Sequence, residues 1–225
     1  MNFKDQVVVI TGASKGLGKA LAKELSKEGT ILALNARKEF DLNLPNAHYF
    51  LGDVSKESDV LRITKEIVKK LGRIDIWINN AGIWLPPTPF EEVSANRIDE
   101  LIQINVLGTI YGSKEAILQM KKQKSGAIVQ IISTSALEGR SGQAVYCATK
   151  FAIDGFSKSI RKELEPFNIK VYSVFPGGMK TDLFTEKVPD NYDEYMNPED
   201  VALKIVDNLK QDSPQEELIL RRPSQ

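Results

Sequence analysis

Tyr146 and Lys150 stand four residues apart in Tyr-Cys-Ala-Thr-Lys, at the front of a segment with helical patterning, so both side chains are expected on one helix face. A tyrosine hydroxyl has a reference pKa of about 10 and exchanges protons poorly at neutral pH. An ammonium beside it stabilises the phenolate and lowers that pKa, so the pair suits proton transfer to or from an alcohol oxygen. The YxxxK pattern also arises by chance in many helices, and its weight comes from its surroundings. Ser133 ends a strand-like run thirteen residues earlier, where its hydroxyl could hold a substrate oxygen, with Thr134 and Ser135 beside it. Asn105 shares an apolar stripe with Ile98, Leu101 and Ile102. A buried amide needs partners, so Asn105 either satisfies backbone groups or also orders a water leading to Lys150.

A second chemistry is written in Thr11-Gly12-Ala13-Ser14-Lys15-Gly16-Leu17-Gly18. Glycines there permit a tight turn and close approach of backbone amides to a pyrophosphate, and a helix beginning at the turn adds partial positive charge. The spacing is GxxxGxG rather than GxGxxG, and a Gly-rich turn can simply join a strand to a helix. Its place after the first apolar run favours nucleotide binding, with Gly12, Ser14, Lys15, Gly16, Leu17 and Gly18 as contacts. The second run ends Leu34-Asn35-Ala36-Arg37-Lys38, where an acid would meet a free ribose 2′-hydroxyl and a base a 2′-phosphate. No acid stands there. Arg37, helped by Lys15, can grip a phosphate, which favours NADP over NAD, although an arginine here can also be a solvated loop charge. Asp53 and Val54 follow the third run; Asp53 could accept from an adenine amine or cap a helix beginning near Lys56. Asn79-Asn80-Ala81-Gly82 follows the fourth, and Asn79, Ala81 and Gly82 are candidates to pack on the cofactor with little bulk.

The elements that must position these groups are seven short runs rich in Val and Ile, at 7–11, 31–36, 48–51, 74–79, 127–133, 169–175 and 217–220. Most are nearly continuous rather than alternating, as in strands buried on both faces. Helical patterns lie between them, including two long ones at 96–122 and 143–166. The expected fold is therefore α/β: a single doubly wound Rossmann-type domain over residues 1–225, with a seven-stranded parallel sheet flanked by helices on both faces. In such a sheet the ligand sits beyond the carboxyl ends of the strands, where the winding reverses. Loops are expected at 84–89 and 184–193, and a helix start at Pro198.

Composition narrows the partners. Lys plus Arg and Asp plus Glu both total 30 in the 225 residues, so no overall field draws the chain to nucleic acid or an anionic membrane. No apolar run approaches a bilayer span, and the first residues carry no signal-peptide core. Cys147 is the sole cysteine, which excludes an internal disulfide. These features give an expected cytoplasmic location.

Taken in order and spacing, Thr11-Gly12…Gly16-Leu17-Gly18, Asp53, Asn79-Asn80-Ala81-Gly82, Asn105, Ser133, Tyr146…Lys150 and Pro176-Gly177…Thr181 resemble the short-chain dehydrogenase/reductase family over nearly the whole chain. The resemblance implies a catalytic tetrad of Asn105, Ser133, Tyr146 and Lys150. In it Tyr146 exchanges the proton, Ser133 positions the substrate oxygen, Lys150 also binds the nicotinamide ribose, and Asn105 supports a relay water. Thr181, with Pro176 and Gly177, is implied to hold the carboxamide end of the cofactor. The family's usual Asn-Ile-Ser-Ser appears as Gln130-Ile131-Ile132-Ser133, so only the second serine is kept.

The leading expectation is an NADPH-dependent reductase or dehydrogenase acting on a small carbonyl or alcohol. A catalytically silent NADP(H)-binding regulator or scaffold is the alternative, and 3-oxoacyl carrier-protein reduction a narrower one, with Lys121, Lys122 and Lys124 able to meet an acidic carrier or simply to end a helix. Trp84, Leu85, Leu137, Met179, Leu183 and Phe184 are expected near an apolar cleft, with Glu138 and Arg140 as polar contacts or solvated charges. A short segment between Thr181 and Pro198 leaves little lid. A homodimer or homotetramer is expected, preferably a dimer through the two long helices, with His48 structural and Cys147 packed.

Overall fold

The computed structural model describes residues 1–184 and 186–222. Strands and helices alternate as β1 (Val7–Ile10), α1 (Gly16–Lys27), β2 (Ile31–Ala36), β3 (Ala47–Leu51), α2 (Glu57–Leu71), β4 (Ile76–Asn79), α3 (Ala95–Leu101), α4 (Gly108–Gln123), β5 (Gly126–Ile131), α5 (Ala144–Leu164), β6 (Ile169–Pro176), α6 (Pro198–Lys210) and β7 (Glu217–Leu220). All pairings are parallel, in the order β3-β2-β1-β4-β5-β6-β7. The winding thus reverses between β1 and β4, where the chain leaves the sheet toward opposite sides and opens a crevice.

Burial on both faces explains the continuous apolar runs. One face packs Leu21 and Leu25 of α1 with Val201, Ile205 and Leu209 of α6. The other packs Ile63 and Ile67 of α2 with Ala116 and Met120 of α4 and Ile160 and Leu164 of α5. Among the described residues no helix is long and apolar enough to cross a membrane.

Two departures from the sequence pattern bear on the site. The long helical stretch at 96–122 is not one uniform helix: α3 and α4 are joined by a π-helical segment, Ile102–Leu107, which contains Asn105. Such widened turns are uncommon and recur at functional sites. The fifth run does not continue as strand to Ser133, because β5 ends at Ile131 and Ser133 caps a 3₁₀ turn, Thr134–Ala136, accepting from the Ser135 amide at 3.1 Å.

The start of β4 is set by a side chain. Buried Asp75 accepts from the Val7 amide through Oδ2 (2.8 Å), donates its own amide to the Val7 carbonyl (2.9 Å), and takes two Arg73 donors on Oδ1. Asp75 therefore registers β1 against β4, the two strands that flank the crevice. Asp75→Ala is expected to lower the unfolding free energy by about 1.5–3 kcal/mol, since a charge-assisted bond to a buried amide is lost. Urea unfolding reads this directly, and a loss below about 0.5 kcal/mol would contradict the role.

Candidate active site

One open cleft of about 960 Å³ runs along the carboxyl ends of the strands. At one end the turn after β1 supplies Gly12, Ser14, Lys15, Gly16 and Leu17, joined by Arg37 after β2 and Asp53 and Val54 after β3. The opening amides of α1 have no acceptor within the helix and face this end. At the other end stand Ser133, Tyr146 and Lys150, with Pro176, Gly177 and Thr181 after β6.

The turn is held against the end of β4. Thr11 Oγ1 accepts from the amides of Asn80 (3.0 Å) and Ala81 (3.1 Å), while Asn80 Nδ2 donates to the carbonyls of Thr11 and Gly12. The backbone approach is close enough to require glycine. Gly12 has φ +65°, and a Cβ there would meet Ala81 Cα at 2.9 Å; a Cβ on Gly18 would lie 2.3 Å from the Gly12 carbonyl oxygen. Gly18 thus sets the packing of α1 on the turn and does not itself line the cleft.

At the Tyr146 end Lys150 Nζ lies 5.6 Å from the Tyr146 ring centroid and 3.4 Å from the Ile131 carbonyl. Asn105 sits one layer behind. Its Oδ1 accepts from the Ile83 amide (2.8 Å), and its Nδ2 donates to the Ile83 carbonyl (2.9 Å) and Thr149 Oγ1 (3.3 Å). Both of its polar groups are spent on Ile83, which lines the cleft, and on the helix turn between Tyr146 and Lys150.

A family model for short chain dehydrogenases matches residues 6–192. The chain belongs to the short-chain dehydrogenase/reductase family. Carbonyl reductase family member 4 from Xenopus laevis is 35% identical over 212 residues, covering 89% of each chain. Among solved structures, ElxO with NADP bound is similar at 30% identity and TM-score 0.86, with 96% of each chain covered. A 3-ketoacyl-(acyl-carrier-protein) reductase from Brucella melitensis complexed with NADH is similar at 26% identity and TM-score 0.90, covering 97% of this chain and 96% of that one.

Within this short-chain dehydrogenase/reductase enzyme several expectations change. Asn79 is absent from the cleft wall. Its side chain points into the layer under α4, accepting from Trp77 Nε1 (2.8 Å) and donating to Ser113 Oγ (2.9 Å) and Gln130 Oε1 (3.0 Å), because alternate residues of a strand face opposite sides. Asn80 faces the cleft instead. Asp53 does not cap α2, which starts at Glu57; its Oδ1 accepts from the Ser55 amide and hydroxyl, and it remains at the cleft wall. Leu85 is buried in a cluster with Trp84 and Leu101, and Leu137 is 39% exposed away from the cleft, whereas Trp84, Met179, Leu183 and Phe184 line it. Described residues of the segment after Thr181, among them Leu183, Phe184 and Tyr195, form a wall: Lys180 pairs with Met196 and Met196 with Gly178, and Phe184 stacks edge-on to Trp84 and Tyr195. Arg97, Tyr195 and Arg222 are wall residues that no local sequence pattern marked.

Burial dominates the ionisation of Tyr146 and Lys150. It pushes the Tyr146 phenol up to about 12, with a hydrogen bond from Ser133 pulling the other way, and it pushes Lys150 down to about 8. The expected lowering of Tyr146 is not found in the protein without ligand: desolvation sets the direction, and the Lys150 ammonium is itself desolvated and turned toward the Ile131 carbonyl. In the protein without ligand, the tyrosinate absorbance of wild type minus Tyr146→Phe should show no ionisation below pH 10. A difference signal in the range 7–9 would contradict this account.

Proposed function

We propose that this enzyme reduces a carbonyl compound to a secondary alcohol with NADPH, or runs the reverse oxidation. The observation that carries this reading is the shared cleft: the glycine turn with Arg37 at one end, Ser133, Tyr146 and Lys150 at the other. These residues fit a dinucleotide. The opening amides of α1 and the close glycine packing suit a pyrophosphate, and Arg37 and Lys15 have no ion-pair partner among the described residues, leaving both free for a 2′-phosphate. NADP and NADH both occur among the similar structures, so the preference here rests on Arg37 and the neutral Ala36.

When bound, reduced NADP supplies the hydride for the carbonyl carbon. Tyr146 keeps its proton at neutral pH and gives it to the substrate oxygen, while the Ser133 hydroxyl hydrogen-bonds the same region of the cleft. Lys150, below its ordinary value yet still largely protonated at pH 7, supplies positive charge that eases loss of the phenolic proton. Asn105 acts as a positioning residue through Ile83 and Thr149. A silent nucleotide sensor would need the glycine turn but not this buried Tyr–Lys pair, whose desolvation is costly without a use.

Carrier-protein docking gains nothing from the lysine cluster. Lys121 lies over the Phe167 ring at 3.9 Å and Lys124 ends α4, directly before β5 begins, so the cluster sits toward the amino ends of the strands, opposite the cleft. Exposed Leu118 on α4 and Phe151 on α5 support a homodimer or homotetramer packed through these helices. Balanced charge and a single buried cysteine suit a cytoplasmic enzyme.

Arg37→Ala should weaken NADPH binding by roughly 1.5–3 kcal/mol while barely touching NADH, read by fluorescence titration; equal weakening of both would remove Arg37 from the 2′-phosphate. Tyr146→Phe keeps the ring and should fold and bind NADPH, yet lose about 10² to 10⁴ in single-turnover reduction. Near-normal hydride transfer in that variant would disprove the mechanism.

A further inference from the structure

Two residues beyond β7, Arg222 reaches the same cleft as Tyr146. Its side chain is only 12% exposed, and its Nε and Nη1 are buried with no hydrogen-bond partner among the described residues. Glu194, itself 58% exposed, forms a long ion pair with Nη1 at 3.8 Å but is beyond hydrogen-bonding reach, so it uses neither donor. The guanidinium carbon lies 5.1 Å from the ring centroid of Tyr195, a ring packed against Gly178. A desolvated guanidinium with two unused donors is costly unless an anion completes it.

Other cleft arginines are arranged differently. Arg97 is spent on Glu100, Glu186 and the Trp84 carbonyl. Arg37 stands beside Ala36 at the glycine-turn end. Arg140 donates Nη2 to Thr134 Oγ1 (3.0 Å) and Glu138 (3.3 Å), and its charge is felt at both Tyr146 and Tyr195. Arg222 lies against the Tyr195 ring, and both guanidinium groups line the same cleft as Tyr146 and Tyr195. A planar fork with free donors is suited to a carboxylate or a phosphate.

We propose that the substrate carries an anionic group, a carboxylate or a phosphate monoester, that binds Arg222 with support from the Arg140 charge while its carbonyl faces Ser133 and Tyr146. This rests on the carbonyl-reductase reading and adds the substrate class to it.

Matched pairs test it: 4-oxopentanoate against its methyl ester, and dihydroxyacetone phosphate against dihydroxyacetone. Each compound is measured with wild type, Arg222→Ala and Arg222→Lys, both by NADPH oxidation and by calorimetric binding to the NADPH-loaded protein. The expected result is at least a tenfold preference for the charged member of one pair, carried by KM and by Kd, abolished in Arg222→Ala and partly kept in Arg222→Lys. The pair that shows it tells carboxylate from phosphate. Equal handling of both members in both pairs overturns the proposal, as does a preference that survives Arg222→Ala. Loss of NADPH affinity in Arg222→Ala matching the loss for the anion overturns it too, because the arginine would then serve the cofactor. Failure of the reductase reading is separate: no compound is reduced, while calorimetry still reports whether anions bind through Arg222.

Discussion

The gap between the carboxyl ends of β1 and β4 is the constraint on which the remaining structure depends. Parallel neighbours whose chains leave to opposite sides cannot be closed over by a single helix, so a crevice opens there. A crevice lined with backbone would lose definition if the two exits moved independently. The Thr11 hydroxyl and the Asn80 amide prevent this with four hydrogen bonds between the exits, and Asp75 fixes the register of the same two strands at their other end. The glycines at 12 and 18 are the steric consequence, since this close an approach leaves no room for a Cβ.

Beneath the Tyr146 end of the cleft lies a layer of buried polar side chains, each of them hydrogen-bonded. Asn79, Gln130, Ser113 and Trp77 form one network, and Asn105 joins Ile83 to Thr149 in a second. Buried networks of this kind are favourable only when fully paired, and they then hold their members in a single arrangement. The π-helical turn brings the Asn105 amide into line with Ile83 on one side and α5 on the other. Tyr146 and Lys150 therefore project from a helix that is anchored from below.

Electrostatically the cleft has two characters. The glycine-turn end offers backbone amides and two exposed cations. The Tyr146 end is desolvated, and desolvation moves Tyr146 and Lys150 in opposite directions, each toward its neutral form. Positive charge brought beside the phenol works against that shift. The pair is thus tuned by what binds next to it, and Arg140 and Arg222 place further positive charge along the aromatic wall.

Much of this was legible from residue types and spacing. Continuous Val and Ile runs separated by 3.6-period stripes specify a parallel sheet covered on both faces, because that pattern buries all its apolar surface in no other way. The glycine turn, Arg37 and the Tyr146–Lys150 spacing are local features, and local features can be read from a chain. Other properties depended on contacts between residues distant in sequence. Whether Asn79 or Asn80 faces the cleft follows from the exact end of β4; whether Asn105 is spent on Ile83 follows from a widened helical turn. The direction of the Tyr146 shift follows from how deeply the assembled walls bury it. Arg222 has no local pattern at all: it stands seventy-six positions beyond Tyr146, and only the last strand of the sheet carries its guanidinium into the same cleft, where burial leaves two of its donors without a hydrogen-bond partner among the described residues.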